Sequence, residues 1–296
     1  MMGTIVEITI KDVSYEKAKN ASEKAFTKIS EIEKVLSAYD NKSEISRLNR
    51  TGEVKNPSLY LKEVTREAIL AGNVTKGAFD ITLAPVISLW GFGPAKKVSS
   101  VKYQVSSEIP GKKDIEKAMK LVNYKDMVFD EKNNTIYFKK KGMSVNLGGI
   151  AKGYAVDKAI EVLKSQGIKK AIVNAGGNMY AMGTTWCIGI KDPRKENIFK
   201  TIRVKDRAVS TSGDYERFFT GIEAGKKKKF HHIIDPRTGY PAGDCISVTV
   251  IAPTGMMSDW LSTGVFVMGP EKGLALLSKL GIKGVIVTRD EKIISN

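Results

Sequence analysis

The spacing of apolar residues changes along this chain, and the change limits the folds that the chain can adopt. Residues 14–39 carry apolar side chains at helical spacing on one face, which predicts a long amphipathic helix. From residue 178 to residue 250 the pattern is typical of strands instead. Helices and strands grouped apart in this way predict an α+β fold of mixed or antiparallel sheets with flanking helices.

Shorter patterns complete the expected order of elements. A helix is predicted at residues 59–71, ending before Gly72, and another at residues 115–122, with Asp114 as its N-cap. The other expected elements are strands at 4–10, 142–147, 171–173 and 284–287, a hairpin at 127–138, helices after Gly149, around Asp259 and at 271–280, and turns at Asp192-Pro193, Ser212-Gly213 and Asp235-Pro236. We expect one domain over residues 1–296, or two closely packed lobes with a ligand between them.

The net charge of +16 indicates an anionic partner, such as a nucleotide, a phospholipid surface or an acidic protein. Nucleic acid is the rival partner, but the lysines are scattered, and the sequence has no zinc-finger spacing, RNP pattern or clear helix-turn-helix. We therefore expect no binding of nucleic acid. The one dense run of lysines, residues 226–229, is predicted to be a solvated loop at the tip of a hairpin.

Cysteine usage and hydropathy limit the environment of the chain. Cys187 and Cys245 lie far apart in strand-like apolar surroundings, which predicts two buried, reduced thiols. No apolar run approaches the length of a transmembrane helix. The first strand is expected to start at Thr4, with no secretory signal before it.

The two histidines of the chain are adjacent, at His231 and His232, and a turn at Asp235-Pro236 follows them. Histidine is the side chain whose ordinary pKa lies nearest to neutral pH, so it is a candidate for proton transfer. In an extended segment the two rings point to opposite faces. The alternative is that both histidines are structural residues of an edge strand.

A glycine pair at Gly148 and Gly149 separates a strand-like run from a helical pattern, and Lys152 follows it. Glycines let a ligand approach the backbone, and the N-terminus of a helix favours an anion. The spacing differs from that of a P-loop. The alternative is that the glycines serve only tight packing of the helix on a sheet.

Asp259 and Thr263 are four residues apart on an otherwise apolar helical pattern, so they share one face. A carboxylate and a hydroxyl there suit Mg²⁺, which prefers oxygen ligands. The alternative is that Ser258 or Asp259 caps the start of the helix and that Thr263 bonds to its own backbone.

Together with further motifs, these segments resemble the ApbE family, the FAD:protein FMN transferases, over nearly the whole chain. The motifs that carry the resemblance are Met2-Gly3-Thr4, Ser37-Ala38-Tyr39, residues 43–49, residues 77–82, residues 89–93, residues 148–157, residues 174–178, residues 210–215, the segment from His232 to Pro236 and the Asp259 helix. Each motif is short, but their ordered set is specific.

The resemblance implies an activity and partners. An enzyme of this family splits FAD at its pyrophosphate with Mg²⁺, joins FMN through its phosphate to a Thr or Ser hydroxyl of a target flavoprotein, and releases AMP. The implied acceptor is a subunit of a membrane redox complex. Peripheral association with the membrane, and a location outside the cytoplasmic membrane, are expected on the same ground, for a chain whose leader has been trimmed or is lacking.

The resemblance also implies site residues. The metal ligands are the carbonyl of Gly149 and the side chains of Asp259 and Thr263, with Ser262 nearby. The flavin contacts are Met2, Tyr39, Ala78, Phe79, Asp80, Asn146, Lys152 and Ile233. His232 is the candidate general base for the acceptor hydroxyl, and Asp235 is close enough in sequence to influence it.

Several interpretations stay open at this point. Many family members have Asp where this chain has Asn146, and an amide adds no negative charge. Phe79 also fits a core position, Asp80 also fits a cap, and Tyr39 also fits plain packing. Residues 211–215 fit either an acceptor groove or an ordinary turn. Two other functions remain: an FAD pyrophosphatase that releases FMN and AMP, and an FAD-binding protein without turnover.

Overall fold

A computed structural model describes residues 1–93, 104–105, 109–223 and 225–296 of the chain. Its helices are α1 (Tyr15–Leu36), α2 (Glu44–Thr51), α3 (Leu59–Val74), α4 (Ala84–Leu89), α5 (Lys112–Met119), α6 (Ala151–Ser165), α7 (Gly255–Met268) and α8 (Pro270–Lys279). Its strands are β1 (Val6–Lys11), β2 (Glu53–Lys55), β3 (Gln104–Val105), β4 (Met127–Asp130), β5 (Thr135–Phe138), β6 (Lys170–Ala175), β7 (Asn178–Met182), β8 (Trp186–Lys191), β9 (Ile198–Val204), β10 (Arg207–Gly213), β11 (Phe218–Glu223), β12 (Lys226–His231), β13 (Cys245–Ala252), β14 (Lys283–Thr288) and β15 (Ile293–Ser295).

The main sheet has seven strands in the order β1-β6-β7-β10-β13-β14-β15, and every neighbouring pair is antiparallel. Three smaller sheets have the orders β12-β11-β3, β2-β5-β4 and β8-β9. The pair β11 and β3 is parallel, so the sheets are antiparallel or mixed. The predicted α+β class is confirmed; the single domain over residues 1–296 stays a prediction.

Helices α6 and α7 are central to the fold, because α6 packs on both α1 and α7, and α7 packs on β10 and β13. The largest core cluster lies around them and includes the fully buried Tyr154, Trp260 and Phe266. Burying a large apolar side chain contributes about 1.5–3 kcal/mol. Helix α7 is therefore held by apolar contacts on most of its surface, and its few polar side chains need partners inside the protein.

The crossing of α6 and α7 depends on two glycines. A Cβ atom added at Gly153 would lie 2.0 Å from the carbonyl oxygen of Gly255, and one added at Gly255 would lie 2.4 Å from the carbonyl oxygen of Gly153. No real Cβ atom approaches so closely, so the absence of side chains allows the two backbones to touch. This contact brings the first turn of α6 against the side chain of Asp259 on α7.

Several predicted helix limits need correction. Helix α3 continues through Gly72. The ring of Tyr124 packs in the space that a side chain at this position would fill, so glycine fits here inside the helix. Helix α5 begins at Lys112 after Gly111 as N-cap, and Asp114 lies in its first turn. Helix α2, capped by the Ser43 hydroxyl, is an addition to the predicted elements.

The expected strand at residues 142–147 is not a strand in the structure. The side chain of Asn49 takes the place of a neighbouring strand: it donates to the Val145 carbonyl at 3.0 Å and accepts from the Val145 N–H at 2.7 Å. The turn expected at Ser212-Gly213 is wrong, since both residues belong to β10. The lysines of residues 226–229 form part of β12 and not a loop.

Both cysteines are free, as predicted, but only Cys245 is buried; Cys187 is exposed on β8. The prediction that both thiols are buried is therefore wrong for Cys187. Within the described ranges, no helix combines the length and apolar character that crossing a membrane requires.

Candidate functional site

The turn that leads into α6 is held by its own polar groups. The side-chain oxygen of Asn146 accepts from the Gly148 N–H at 2.8 Å, and the Asn146 N–H donates to the Ile81 carbonyl at 2.8 Å. The Lys152 ammonium donates to the Gly148 carbonyl at 2.7 Å. A cation therefore lies at the N-terminus of a helix, whose dipole also favours an anion.

The carboxylate of Asp259 meets this helix N-terminus from α7. It is 3% exposed, and one oxygen accepts from the Gly153 N–H at 2.9 Å. Its other oxygen lies 3.9 Å from the Lys152 ammonium. Burial raises the pKa of Asp259, while the Lys152 charge and the backbone N–H groups act to lower it. A buried carboxylate whose nearest described cation is 3.9 Å away suits a closer cation as a further partner.

Gly149 lies beside the same group. A Cβ atom added to it would be 3.1 Å from the Thr263 hydroxyl and 3.1 Å from the Phe79 ring, so a side chain there would crowd both. In a continuous helix the Gly153 N–H would bond to the carbonyl four residues earlier. Because this N–H donates to Asp259, the Gly149 carbonyl is left without that partner.

Three hydroxyls complete the group. The Ser262 hydroxyl donates to the Asp259 carbonyl at 2.9 Å, and Ser212 of β10 lies 2.8 Å from Ser262 and 3.2 Å from Thr263. Thr254 caps α7, so the alternative that Ser258 or Asp259 is the cap is wrong. Among the described hydrogen bonds, the Thr263 hydroxyl pairs with Ser212 and not with its own backbone.

The donor set of this group fits Mg²⁺. It offers the Asp259 carboxylate, the Thr263 hydroxyl and the Gly149 carbonyl, all of them oxygens, and Mg²⁺ typically keeps several waters as well. The described ranges contain no cluster of three or more His, Cys, Asp or Glu side chains placed to hold a metal ion. Within these ranges, the chain therefore lacks the nitrogen- and sulfur-rich set that zinc prefers.

His231, the last residue of β12, is a structural residue. Its Nε2 donates to the Ala242 carbonyl at 2.8 Å, its Nδ1 accepts from the Ile233 N–H at 3.3 Å, and its ring packs edge-on against Phe266. Burial lowers the pKa of His231 to about 4. The ring is therefore neutral at physiological pH, with both nitrogens occupied.

His232 has different surroundings, which agrees with the expected opposite orientation of the two rings. Its Nδ1 lies 3.1 Å from the Arg217 carbonyl, and its ring, partly open to solvent, packs against Phe92. A carbonyl only accepts, so Nδ1 carries the proton and Nε2 keeps a free lone pair. The loss of water around the enclosed part of the ring is the main cause that lowers the pKa of His232. The positive charges of Arg217 and Lys152 lower this pKa further.

Asp235 does not act on His232 through a direct contact. Its carboxylate accepts from the Arg237 side chain at 2.8 and 2.6 Å and from the Arg237 N–H at 2.8 Å. Among the described hydrogen bonds, none joins Asp235 to His232. The expectation based on their nearness in sequence is therefore not supported by the geometry: the guanidinium of Arg237 takes the carboxylate.

The expected flavin residues form two groups. Asn146 and Lys152 lie in the turn before α6 and in its first turn, and Phe79 packs on Trp260 at 6.4 Å between ring centres. Ala78 and Ile233 are buried near 5% exposure. Their burial means that backbone atoms, more than side-chain surface, are what these two residues can offer to a ligand.

Met2 and Tyr39 form the second group, at the C-terminal end of α1. The Met2 N–H donates to Glu33 at 2.7 Å, and Glu33 and Tyr39 line one shallow groove. Tyr39 is 60% exposed, so its ring is free to stack on a planar ligand. Helix α2 links the two groups, since the Ser43 hydroxyl donates to the Ser37 carbonyl at 2.6 Å and Asn49 holds Val145.

Asp80 is occupied by structural hydrogen bonds. Its carboxylate accepts from the Thr82 N–H at 2.8 Å, from the Thr82 hydroxyl at 2.6 Å and from the Tyr124 N–H at 2.9 Å. It thereby caps the short 3-10 helix Ile81–Leu83. This is the capping role that the sequence left open for it.

Ser212 and Asn49 support the site but were not predicted to do so from the sequence. A signal for Ser212 was present: Ser210 and Ser212 alternate along a strand, and Ser258 and Ser262 are one helical turn apart. Two such pairs can face each other across a strand and a helix. The pairing itself joins residues about 50 positions apart, so spacing within either segment does not reveal it.

Comparisons with known proteins agree with the fold. The model of the ApbE family matches residues 2–286. The FAD:protein FMN transferase of Haemophilus influenzae is 33% identical over 86% of this chain and 75% of its own length; that of Escherichia coli is 28% identical over 98% and 82%. The ApbE protein of Thermotoga maritima superposes with a TM-score of 0.86 at 32% identity, covering 99% of this chain and 94% of its own. The flavin transferase ApbE of Vibrio cholerae gives a TM-score of 0.82 at 28% identity, covering 99% and 93%.

Proposed function

Since the chain belongs to the ApbE family, we propose that it splits FAD with the aid of Mg²⁺ and joins FMN to a Thr or Ser hydroxyl of a target flavoprotein, releasing AMP. The chain is an FAD:protein FMN transferase: relatives that match most of its length have this name, and its structural neighbours are flavin transferases. The observation that carries the finer proposal is the convergence of Asp259, Thr263 and Gly149 beside the Lys152 ammonium.

The proposed transfer balances with FAD and the acceptor hydroxyl as its only reactants. The acceptor oxygen forms a bond to the phosphorus that carries riboflavin, and the bond from that phosphorus to the bridging pyrophosphate oxygen breaks. The bridging oxygen leaves with AMP and its electron pair. Phosphoryl transfer of this kind depends mostly on positioning and on neutralising charge.

Different residues of the site are proposed to bind the metal, the phosphate and the flavin. Asp259, Thr263 and the Gly149 carbonyl would hold Mg²⁺, with Ser262 acting on the backbone next to them. When bound, Mg²⁺ supplies positive charge against the pyrophosphate oxygens. The Lys152 ammonium, with the dipole of α6 behind it, is placed to bind the phosphate, and the Asn146 amide is placed to hydrogen-bond polar flavin atoms without adding charge.

We propose that His232 takes the proton of the acceptor hydroxyl on Nε2. Support comes from its neutral ring and from the hydrogen bond that commits Nδ1 to the Arg217 carbonyl, which leaves Nε2 as the basic nitrogen. For Asp235, the contacts support a structural role instead, in the turn that follows the histidines.

His232→Ala should lower the rate of FMN transfer by about 10²–10⁴, the usual contribution of a general base. FAD binding should stay within about threefold, because His232 is proposed to act on the acceptor and not on the flavin. The measurement is single-turnover labelling of an acceptor fragment, with FAD affinity taken from flavin fluorescence.

His231→Asn is the matched control, since an amide keeps a donor for the Ala242 carbonyl. It should lower stability more than it lowers the transfer rate. Near-normal transfer by His232→Ala would remove His232 from the reaction.

The test of the function is to mix the chain with FAD, Mg²⁺ and a flavoprotein fragment that carries the acceptor threonine, and then to weigh the fragment. We expect a mass increase equal to a phosphoester-linked FMN, and none with EDTA. AMP release without labelling would favour the pyrophosphatase, and neither product would favour plain FAD binding.

We further propose that the acceptor is a subunit of a membrane redox complex, and that the chain works outside the cytoplasmic membrane with peripheral contact to it. The resemblance to the family motivates this, and the net charge of +16 is compatible with an anionic lipid surface. Protease treatment of cells whose outer envelope has been opened, with the cytoplasmic membrane intact, tests the location: a chain that stays protected until the cytoplasmic membrane is lysed would contradict it.

A further inference from the structure

Two pairs of serines join strand β10 to helix α7. Ser210 lies 2.6 Å from Ser258, and Ser212 lies 2.8 Å from Ser262, oxygen to oxygen. Both helical serines also donate to backbone carbonyls three residues earlier, at 2.9 Å. Ser210 is fully buried and Ser212 is half-buried, and of the two only Ser212 reaches a further hydroxyl, that of Thr263, at 3.2 Å.

Counting protons fixes the direction of each hydrogen bond. A serine or threonine hydroxyl has one proton to donate. Ser262 gives its proton to the Asp259 carbonyl, which can only accept. In the contact with Ser262, Ser212 must therefore be the donor.

The same count of protons gives the direction of the hydrogen bond between Ser212 and Thr263. Since the Ser212 proton is committed to Ser262, the proton between Ser212 and Thr263 must come from Thr263. The Thr263 proton therefore points toward β10. The lone pairs of Thr263 Oγ1 are left for the side where Gly149 lies.

We propose that Ser212 is a positioning residue of the metal site: by accepting the Thr263 proton, it directs the lone pairs of Thr263 toward Mg²⁺. The chain of hydroxyls from Thr263 through Ser212 and Ser262 to the Asp259 carbonyl holds one metal ligand in a single orientation. Without Ser212, the Thr263 hydroxyl is free to rotate and to point its proton at the cation. This inference rests on the proposed magnesium-dependent function.

The experiment is a calorimetric titration of Mg²⁺ into the FAD-saturated protein, for the wild type and for Ser212→Ala. Loss of a group that orients a metal ligand typically weakens metal affinity by 10–100-fold, so we expect the Mg²⁺ dissociation constant of Ser212→Ala to rise by about tenfold or more. FAD affinity in EDTA should stay unchanged. In transfer assays, the apparent KM for Mg²⁺ should rise, with kcat at saturating Mg²⁺ largely kept.

Ser210→Ala is the matched control. It removes a hydroxyl from the same strand and the same face, with the same kind of bond to α7, but one that does not reach Thr263. Its Mg²⁺ dissociation constant should stay within about twofold of the wild-type value, well below the rise of about tenfold or more expected for Ser212→Ala. Equal weakening in both variants would mean that the serines only hold β10 against α7, and would overturn the proposal.

Ser262→Ala gives a second test that does not depend on the folding of Ser212→Ala. It keeps Ser212 and Thr263 but removes the acceptor of the Ser212 proton, which can then turn toward Thr263. Mg²⁺ binding should weaken here too, while Ser212→Thr, which keeps the hydroxyl, should bind Mg²⁺ nearly as the wild type does. Wild-type affinity in Ser262→Ala and in Ser212→Ala would refute the role of the hydroxyl chain.

The outcomes separate this inference from the function on which it rests. If the wild type with FAD binds no Mg²⁺, the magnesium-dependent function itself fails, and the inference fails with it. If the wild type binds Mg²⁺ and the variants bind it equally well, only the role of Ser212 is lost.

Discussion

Asp259→Asn should reduce FMN transfer by at least about 10³, because it removes the one carboxylate of the proposed magnesium site and a bound metal supplies several kcal/mol to such a reaction. The fold should survive. The side chains have the same shape, and the amide oxygen of asparagine can still accept from the Gly153 N–H. Stability in EDTA should equal or exceed that of the wild type, since burial raises the pKa of Asp259 and the ionised carboxylate is costly to bury.

Labelling rates measured over a range of Mg²⁺ concentrations, together with thermal melts in EDTA, test this prediction. Asp157→Asn is the matched control: Asp157 is half-buried, and it accepts from the N–H groups of Gly255 and Met256 at 2.6 and 2.8 Å at the start of α7. Its replacement should change stability but keep the dependence on Mg²⁺. Transfer by Asp259→Asn at the wild-type rate would exclude its carboxylate as a metal ligand.

Gly153→Ala should destabilise the protein by about 3 kcal/mol, at the upper end of the cost of overpacking a core. Helix propensity alone predicts the opposite sign, since alanine in place of glycine favours a helix by about 1 kcal/mol. The added Cβ would lie 2.0 Å from the Gly255 carbonyl oxygen and 2.7 Å from the Cβ of Asp259, so α6 and α7 must separate. A lower free energy of unfolding in Gly153→Ala would therefore mean that packing dominates, and a higher one would mean that helix propensity dominates.

Urea denaturation measures this free energy of unfolding. Ser165→Ala, at the exposed end of α6, is the control, and it should stay within about 0.5 kcal/mol of the wild type. A stabilised Gly153→Ala would mean that the two helices have room to adjust. Where the variant still folds, it should also bind Mg²⁺ more weakly, because the Gly153 N–H orients Asp259.

The sequence predicted the elements that local patterns define. Helix α1 follows from apolar spacing, and its observed limits fall within the predicted range 14–39, with Ser14 as its N-cap in the structure. The end of α3 was predicted wrongly for a physical reason. Glycine is a poor helix former, but at Gly72 its missing side chain makes room for Tyr124, and this packing outweighs propensity.

The site was predictable only as far as its ligands are close in sequence or fall in family motifs. Asp259 and Thr263 share a helical face because of their spacing alone. The partner of His232 is a carbonyl 15 residues earlier, and the hairpin of β11 and β12 brings it there. Nearness in sequence suggested Asp235 instead, and sequence alone could not show that Arg237 would occupy it.

The lysine-rich strand β12 also bears on how the protein behaves among copies of itself. In the described part of the fold, β12 ends its sheet, and such an edge offers unpaired N–H and C=O groups to any strand that approaches. Lys228 and Lys229 pair with Glu223 and Asp214, but Lys226 and Lys227 are exposed, so the approach of a second copy brings like charges together. The repulsion is screened over about 10 Å at 0.1 M salt, so edge-to-edge self-association should become easier as ionic strength rises, which light scattering would report. A run of residues without a part in the chemistry can thus keep the chain dispersed in dilute salt.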